Sequence, residues 1–235
     1  MTLKIADVTK FTLQDYPGRL ACIVWFAGCD MRCRYCHNAD LLDQRDGFLE
    51  EEMVLKFLRT KVDLLDGVVL SGGECTLQSE LGDFIGKIKD LGFRVKIDTN
   101  GLNPRMVRQL LGDRLVDSVA LDFKAPRGKF TLVSQVAETL YGNFEDTLHF
   151  VLEKFREGSI ELEIRTTVHT SLLGEDDINE IIRILDDLSY SGVFYLQNFT
   201  STGGRTLVDL GNQIRQLDRS RIVKPKHFSL GFRNF

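Results

Sequence analysis

Proline and linker-type sequence are scarce in this chain. Its 235 residues include four prolines, and no stretch rich in proline, glycine or serine divides them into separate parts. Interdomain linkers commonly have that composition. Their absence therefore predicts a single domain over residues 1–235, a length sufficient for one well-cored α/β fold.

Long apolar runs are also missing. The longest, "ACIVWFAG" at 21–28, is far shorter than the ~20 residues that span a bilayer. The first residues, "MTLKIADVTK", lack the apolar region of a signal peptide. These features predict a cytoplasmic protein with no membrane contact, in which thiols stay reduced.

A basic cluster is a third feature that the sequence lacks. The formal net charge is −4, and the lysines and arginines do not gather in one segment. Proteins that bind nucleic acids usually carry such a cluster to neutralise phosphates. No nucleic-acid partner is therefore expected.

Cysteine is infrequent but concentrated. Three of the five cysteines, Cys29, Cys33 and Cys36, lie within "GCDMRCRYCHN" at 28–38. A disulfide needs two cysteines and a structural zinc site needs four ligands. A cubane iron–sulfur cluster takes one thiolate per iron, so three cysteines leave one iron free to bind a small molecule. The spacing favours such a cluster, held by the loop 28–38.

A zinc site remains the alternative at this point. His37 adjoins Cys36, so both could share one metal ion only in a strained geometry. Cys22 and Cys75 could each supply a fourth ligand, although each more readily packs as a small apolar residue. The competing class of protein is a zinc-binding α/β module without catalytic activity.

Six short segments rich in β-branched and aromatic residues alternate with amphipathic stretches. They are "ACIVWFA" (21–27), "GVVLSG" (67–72), "FRVKID" (93–98), "VDSVALDF" (116–123), "IELEIRTTV" (160–168) and "VFYLQNF" (193–199). Their mostly apolar character predicts strands of a parallel sheet covered on both faces. The alternation predicts an α/β fold, either an open six-unit barrel or a doubly wound sheet.

Unusual polar residues follow these segments one after another. "GGE" (72–74) ends the second, "DTNG" (98–101) the third and "DFK" (122–124) the fourth, while Arg165 lies late in the fifth. Parallel α/β folds bind ligands at the carboxyl ends of their strands. Together these residues predict one cavity at that end.

The cysteine spacing, with Tyr35 before the last cysteine, resembles that of radical S-adenosylmethionine (SAM) enzymes. "GGE", "DTNG" and "DFK" stand where that family places its SAM-binding motifs, so the resemblance extends over most of the chain. It implies a partial (β/α)6 barrel. The stretch "FTLQDYPGRLACIVWFAGCDMRCRYCHN" (11–38) is similar to the glycyl-radical-enzyme activating branch, above all to activating proteins of anaerobic ribonucleoside-triphosphate reductase.

The resemblance also implies a role for each matching residue. Cys29, Cys33 and Cys36 would hold a [4Fe–4S] cluster whose open iron chelates SAM. The other implied contacts are Gly72, Gly73 and Glu74 with the SAM amino group, Lys124 beside Asp122 with its carboxylate, Asp98 and Asn100 with the ribose or a nearby cation, Arg165 with the nucleoside, and Tyr35 with His37 along the adenine.

The activity implied is that of an oxidoreductase. One electron from the cluster cleaves SAM, and the 5′-deoxyadenosyl radical removes a hydrogen from a glycine Cα of a partner protein. No side chain is expected to act as a catalytic acid or base. The expected partners are a glycyl radical enzyme, foremost anaerobic ribonucleotide reductase, and an electron donor such as flavodoxin or ferredoxin. A pyruvate formate-lyase-type partner, or a small-molecule substrate as in deazapurine-forming enzymes, are the alternatives.

The C-terminal tail, residues 222–235, combines aromatic and basic residues. Phe228, Phe232 and Phe235 lie among Lys224, Lys226 and Arg233. Aromatic residues and arginine are enriched at protein interfaces. The tail is therefore expected either to face the partner or to cover the open edge of the barrel.

Overall fold

The structure is a computed structural model that describes residues 3–200, 207–208, 210–211 and 213–235. Within these residues the strands form one continuous sheet in the order β1 to β8. The strands are β1 (Ile5–Thr12), β2 (Ala21–Phe26), β3 (Gly67–Gly72), β4 (Arg94–Thr99), β5 (Ser118–Asp122), β6 (Glu161–Val168), β7 (Val193–Asn198) and β8 (Ser229–Arg233).

The six predicted segments became strands β2 to β7, and each pairs in parallel with the next. Two flanking strands were not predicted. Strand β1 pairs with β2 in the antiparallel direction, and β8 pairs with β7 in parallel. Within the described chain the sheet runs from β1 to β8 without closing on itself, which confirms the open, partial barrel among the two predicted architectures.

Helices connect the consecutive parallel strands from β2 to β7. They are α1 (Ala39–Leu42), α2 (Glu51–Arg59), α3 (Leu81–Asp90), α4 (Pro104–Gly112), α5 (Arg127–Ser134), α6 (Tyr141–Arg156) and α7 (Glu175–Asp187). Helix α4 begins at Pro104, because the Asn103 side chain accepts from the Met106 amide and proline suits the first helical turn. In the described part of the chain, no helix is long and apolar enough to cross a bilayer.

Strands β2 to β5 are largely buried on both faces, as predicted, but the two faces of the sheet differ in polarity. In β6, Leu162 and Ile164 join the main hydrophobic core, whereas Glu163 and Arg165 point to the opposite face. A strand alternates its side chains between faces, so this half-polar pattern places charged side chains on the inner face. That inner face lines the cavity described below.

The inner face is apolar only near the amino ends of the first strands. There Tyr16, from the loop after β1, is fully buried against Ala21, Ile23 and Val69. This small cluster fills the space between the strands, so the cavity begins above it, toward their carboxyl ends.

The tail lies along the edge of the sheet as strand β8. Phe228, at its start, is buried against Tyr190 and Phe194, whereas Phe232 is partly exposed. Residues 229–233 therefore cover the β7 edge, one of the two roles expected of the tail. Contact with a partner stays a prediction.

Candidate active site

A cavity of about 360 Å³ opens at the carboxyl ends of the strands, a size typical of small-molecule sites. Every residue that the sequence predicts to bind the cluster or SAM lines it. They are Cys29, Cys33, Tyr35, Cys36, His37, Gly72, Gly73, Glu74, Asp98, Asn100, Asp122, Lys124 and Arg165. The convergence expected from their positions at strand ends is therefore present.

The cluster loop, residues 28–38, is held by backbone hydrogen bonds to the end of α5. Gly28 turns the chain out of β2 with φ +87°, a conformation that favours glycine. The amides of Arg32 and Arg34 donate to the carbonyls of Ser134 and Val133 at 3.0 and 3.1 Å. These carbonyls belong to the last turn of α5, which otherwise lacks helical partners. The loop amides and the last carbonyls of α5 thus satisfy each other's hydrogen-bonding groups.

The three thiols of this loop are poorly solvated. Burial raises the pKa of Cys33 to about 11, against a partial lowering by the Lys124 ammonium. Burial also raises the pKa of Cys29 and of Cys36. Neutral thiols must lose their protons to bind a metal, so metal binding at this loop releases protons.

The three thiols face the cavity as separate groups. Among the described residues, no three His, Cys, Asp or Glu side chains converge on a point where one ion could be held.

The Gly72–Gly73 turn lies directly against the start of the cluster loop. The Gly73 amide donates to the Phe26 carbonyl at 2.8 Å, and the Gly72 carbonyl accepts from the Asn38 side chain at 2.9 Å. A Cβ on Gly72 would lie 2.3 Å from the Phe26 oxygen, and one on Gly73 would lie 2.0 Å from the Gly28 oxygen. Only glycine lets the two backbone segments approach this closely.

Glu74 links the ends of β3 and β4. Its Oε1 accepts from the Thr76 and Thr99 hydroxyls at 2.6 and 2.8 Å, and its Oε2 accepts from the Asn100 amide at 2.7 Å. The side chain is fully buried, and burial raises the pKa of Glu74 to about 7 despite these donors. Much of the carboxylate's hydrogen-bonding capacity is therefore spent on holding the DTNG turn in place.

Charges of alternating sign run across the inner face from β4 to β6. Lys96 contacts Asp98, Arg165 Nη2 donates to Asp98 at 3.1 Å and Arg165 Nε donates to Asp122 at 2.5 Å. Lys124 Nζ then donates to the other oxygen of Asp122 at 2.9 Å. Burial by itself would raise the pKa of Asp122, but Arg165 and Lys124 hold it below its usual range. Both aspartates are thus ionised, and Lys124 is the cation that this chain of charges presents at its cavity end.

An aromatic stack borders the cluster loop. The His37 ring lies parallel to Phe199 with centroids 4.8 Å apart, and His169 meets Phe199 edge-on at 5.1 Å. His37 lines the cavity, whereas His169 does not. Tyr35 is buried, with its hydroxyl 3.5 Å from the Lys124 carbonyl.

The two remaining cysteines behave as small apolar residues, as expected. Cys22 is fully buried within β2, and Cys75 is fully buried with its sulfur 3.5 Å from the Asp98 carbonyl. Neither lines the cavity.

Three polar residues of the site were not predicted: Asp15, Ser71 and Thr167. Thr99 belongs to the predicted DTNG turn, and Gln197 lies at the end of the sixth predicted segment, so both were expected at this end of the strands. Asp15, Arg165 and Gln197 also line a second cavity of about 440 Å³, which continues toward Gln14, Glu163, Arg233 and Asn234. The strand residues among them could have been found from the alternation of side chains along each strand, but Asp15 and Asn234 arrive from loops whose paths no local pattern indicates.

Comparison with known proteins assigns the family. The model of the radical SAM superfamily matches residues 23–188, well over half of the chain. The chain therefore belongs to the radical SAM superfamily, whose members use a [4Fe–4S] cluster and SAM.

Several similar proteins are activating enzymes of glycyl radical enzymes. A candidate glycyl-radical enzyme activating enzyme of Methanocaldococcus jannaschii is 30% identical over 80% of this chain and 77% of its own length. The pyruvate formate-lyase-activating enzyme of Clostridium pasteurianum is 37% identical, but the match spans 52% of each chain. The crystal structure of Streptococcus suis SuiB bound to S-adenosylmethionine superposes with a TM-score of 0.58 at 17% identity, over 79% of this chain and 44% of that one, which shows a common fold.

The residues present fit both cofactors. Three thiols on one loop suit a cluster with one open iron. SAM carries a zwitterionic amino acid, and the same cavity offers the Lys124 ammonium, the Glu74 carboxylate and the Gly73 backbone. Charge-assisted hydrogen bonds are the strong ones in such recognition.

Proposed function

We propose that this chain activates a glycyl radical enzyme, most specifically anaerobic ribonucleoside-triphosphate reductase. The observation that carries the proposal is the shared cavity, which brings the three loop thiols together with groups suited to the zwitterion of SAM. The Methanocaldococcus jannaschii relative, similar over most of both chains, supports the activating role. The Clostridium pasteurianum relative supports a pyruvate formate-lyase-type partner as the second candidate.

In this function Cys29, Cys33 and Cys36 hold the cluster, and the close Gly73–Gly28 contact fixes their loop relative to β3. When bound, the cluster and SAM supply the one-electron cleavage of a carbon–sulfur bond and the hydrogen abstraction that follows. The chain binds, orients and shields them from water. Lys124 receives the SAM carboxylate, while Asp122 keeps this lysine charged and in place, since the carboxylate raises the pKa of Lys124 against the effect of burial.

The second cavity is the route proposed for a protein substrate. It shares Asp15, Arg165 and Gln197 with the first cavity and extends to Asn234, beside the last strand. A glycine Cα on an inserted loop can therefore approach the SAM cavity from the edge of the sheet. Because the chemistry consumes an electron, a small electron-transfer protein such as flavodoxin or ferredoxin is proposed as the donor.

The test is radical formation on purified partners under anaerobic conditions. The reconstituted protein is mixed with SAM, dithionite and either an anaerobic ribonucleotide reductase or a pyruvate formate-lyase, and EPR is used to detect a protein-centred glycyl doublet. A doublet on the reductase supports the proposal, and a doublet only on the lyase reassigns the partner.

SAM cleavage without a doublet on either protein would overturn the activating role and leave a small-molecule substrate. Cys33→Ala, with Cys22→Ala as the matched control, shows whether the signal depends on the cluster loop. Cys33 lines the cavity, whereas Cys22 is buried away from it.

A further inference from the structure

Arg165 lies among three carboxylates. It donates to Asp122 at 2.5 Å and to Asp98 at 3.1 Å, and its third nitrogen, Nη1, lies 3.8 Å from Glu163 Oε1. The first two carboxylates point the guanidinium toward the SAM cavity. Glu163, two residues earlier on the same face of β6, competes for it from the side of the second cavity.

Glu163 is occupied by an arginine from the tail. Arg233 on β8 donates to both of its oxygens, at 2.9 and 2.8 Å. The guanidinium of Arg233 lies over the Tyr195 ring, 3.7 Å from its centroid, and this contact fixes its plane. The arrangement is the bidentate fork that arginine forms with carboxylates and lysine cannot.

Removing Arg233 would leave a poorly solvated charge without its partner. The Glu163 side chain is only 10% exposed, so water could replace Arg233 only in part. Arg165 is the nearest remaining cation, and closing 3.8 Å to hydrogen-bond distance needs a small rotation of its side chain. That rotation would weaken its bond to Asp122, the carboxylate that positions Lys124.

We propose that Arg233 is a positioning residue, which occupies Glu163 and thereby keeps Arg165 and Lys124 directed at SAM. The inference rests on the SAM site proposed above. It gives the C-terminal strand a role in cofactor binding in addition to covering the sheet edge.

The test compares SAM affinity in three variants of the reconstituted protein. Arg233→Gln is expected to bind SAM roughly tenfold to a hundredfold more weakly, as for the loss of one charge-assisted hydrogen bond. Its iron content should be unchanged, because Arg233 does not line the cavity of the cysteines. The double variant Glu163→Gln/Arg233→Gln is expected to recover to within about threefold of the wild type, since a neutral amide in place of the Glu163 carboxylate no longer attracts Arg165 strongly.

Recovery in the double variant separates positioning from simple support of the fold. A double variant that binds SAM as weakly as Arg233→Gln, or an Arg233→Gln variant with wild-type affinity, would overturn the proposal. Arg219→Gln is the matched control: it removes a cation that lies just before the tail, packs on Phe232 and Phe235 of the tail, and does not contact Glu163. Its SAM affinity should not change.

A second variant covers the case in which Arg233→Gln does not fold, as judged by urea unfolding of the metal-free protein. Arg233→Lys and the double variant are then compared instead. The SAM affinity of Arg233→Lys should lie between that of the wild type and the roughly tenfold to hundredfold weaker affinity expected for Arg233→Gln. Arg165→Gln must itself weaken SAM binding; wild-type affinity there would overturn the SAM site and the inference with it. Failure to make a glycyl radical, by contrast, would leave these affinities measurable and affect only the choice of substrate.

Discussion

Gly73 is the position where one added methyl group tests the architecture of the site most directly. In Gly73→Ala the new Cβ would lie 2.0 Å from the Gly28 carbonyl oxygen and 2.7 Å from its carbon. These atoms belong to the backbone and cannot rotate away as the end of a side chain can. Because a Cβ essentially never lies within 3.0 Å of an atom to which it is not bonded, the cluster loop must move about 1 Å from the turn.

The cost of this movement can be estimated from what it disrupts. The Glu74 amide donates to the same Gly28 oxygen at 2.9 Å, and that bond would be lost or stretched. A lost hydrogen bond costs about 1 kcal/mol and overpacking about 1–3 kcal/mol. The free energy of unfolding should therefore fall by about 2–4 kcal/mol, which most domains of this size survive.

The assay is urea unfolding of the metal-free protein, followed by iron content and SAM affinity after anaerobic reconstitution. The matched control is Gly86→Ala within α3, where an added Cβ meets no atom within 4 Å. Alanine in a helix interior should raise the free energy of unfolding by about 0.5–1 kcal/mol and leave the cluster intact. If Gly73→Ala is as stable as wild type and binds iron and SAM normally, the close packing of loop and turn is not what holds the site.

Four further predictions address the cofactors, the pH dependence and the tail. Cys29→Ala, Cys33→Ala and Cys36→Ala should each abolish the ~4 irons per chain of one cubane, whereas Cys22→Ala and Cys75→Ala should keep them; iron analysis decides, and a normal cluster in Cys33→Ala would contradict the ligand assignment. Lys124→Ala should weaken SAM binding roughly tenfold to a hundredfold with unchanged iron content, and unchanged affinity would argue against Lys124 as the carboxylate partner. Burial raises the folded-state pKa of Glu74 from 4.5 to about 7, so the stability contributed by its protonated form is complete below pH 4.5 and is lost as the pH rises through 7. The free energy of unfolding of the metal-free wild type, measured relative to Glu74→Gln, should therefore fall by about 3 kcal/mol over that range. A difference that does not change with pH would refute this prediction. Phe232→Ala, which truncates a partly exposed tail residue, should keep SAM affinity but lower the yield of glycyl radical, and equal loss of both would show that the residue supports the fold instead.

The sequence alone determined the central strands and the chemistry of the site. The segments that became β2 to β7 are visible locally, because β-branched and aromatic residues recur between amphipathic stretches with capping residues such as Asn103. The cluster loop was equally visible, since three cysteines within eight residues have few chemical interpretations. That polar residues at successive strand ends share one cavity followed from the parallel arrangement, in which all carboxyl ends meet at one side.

The edge strands depended on tertiary contacts. β1 alternates polar and apolar residues weakly, and β8 is only five residues long with a glycine inside it. Segments of this kind become strands because β2 and β7 offer unpaired backbone groups beside them. Intrinsic propensity contributes little there, which is why the local pattern did not reveal them.

The electrostatic partners inside the barrel were likewise decided only by the fold. Glu163 and Arg233 are 70 residues apart, and they meet because β8 pairs with β7 in a register that places Arg233 beside Gln197. Local sequence fixes which groups carry charge, whereas the pairing of buried charges depends on distances that exist only after the sheet has formed. The need to pair a poorly solvated carboxylate then selects the partner, and no short stretch of the chain contains both members.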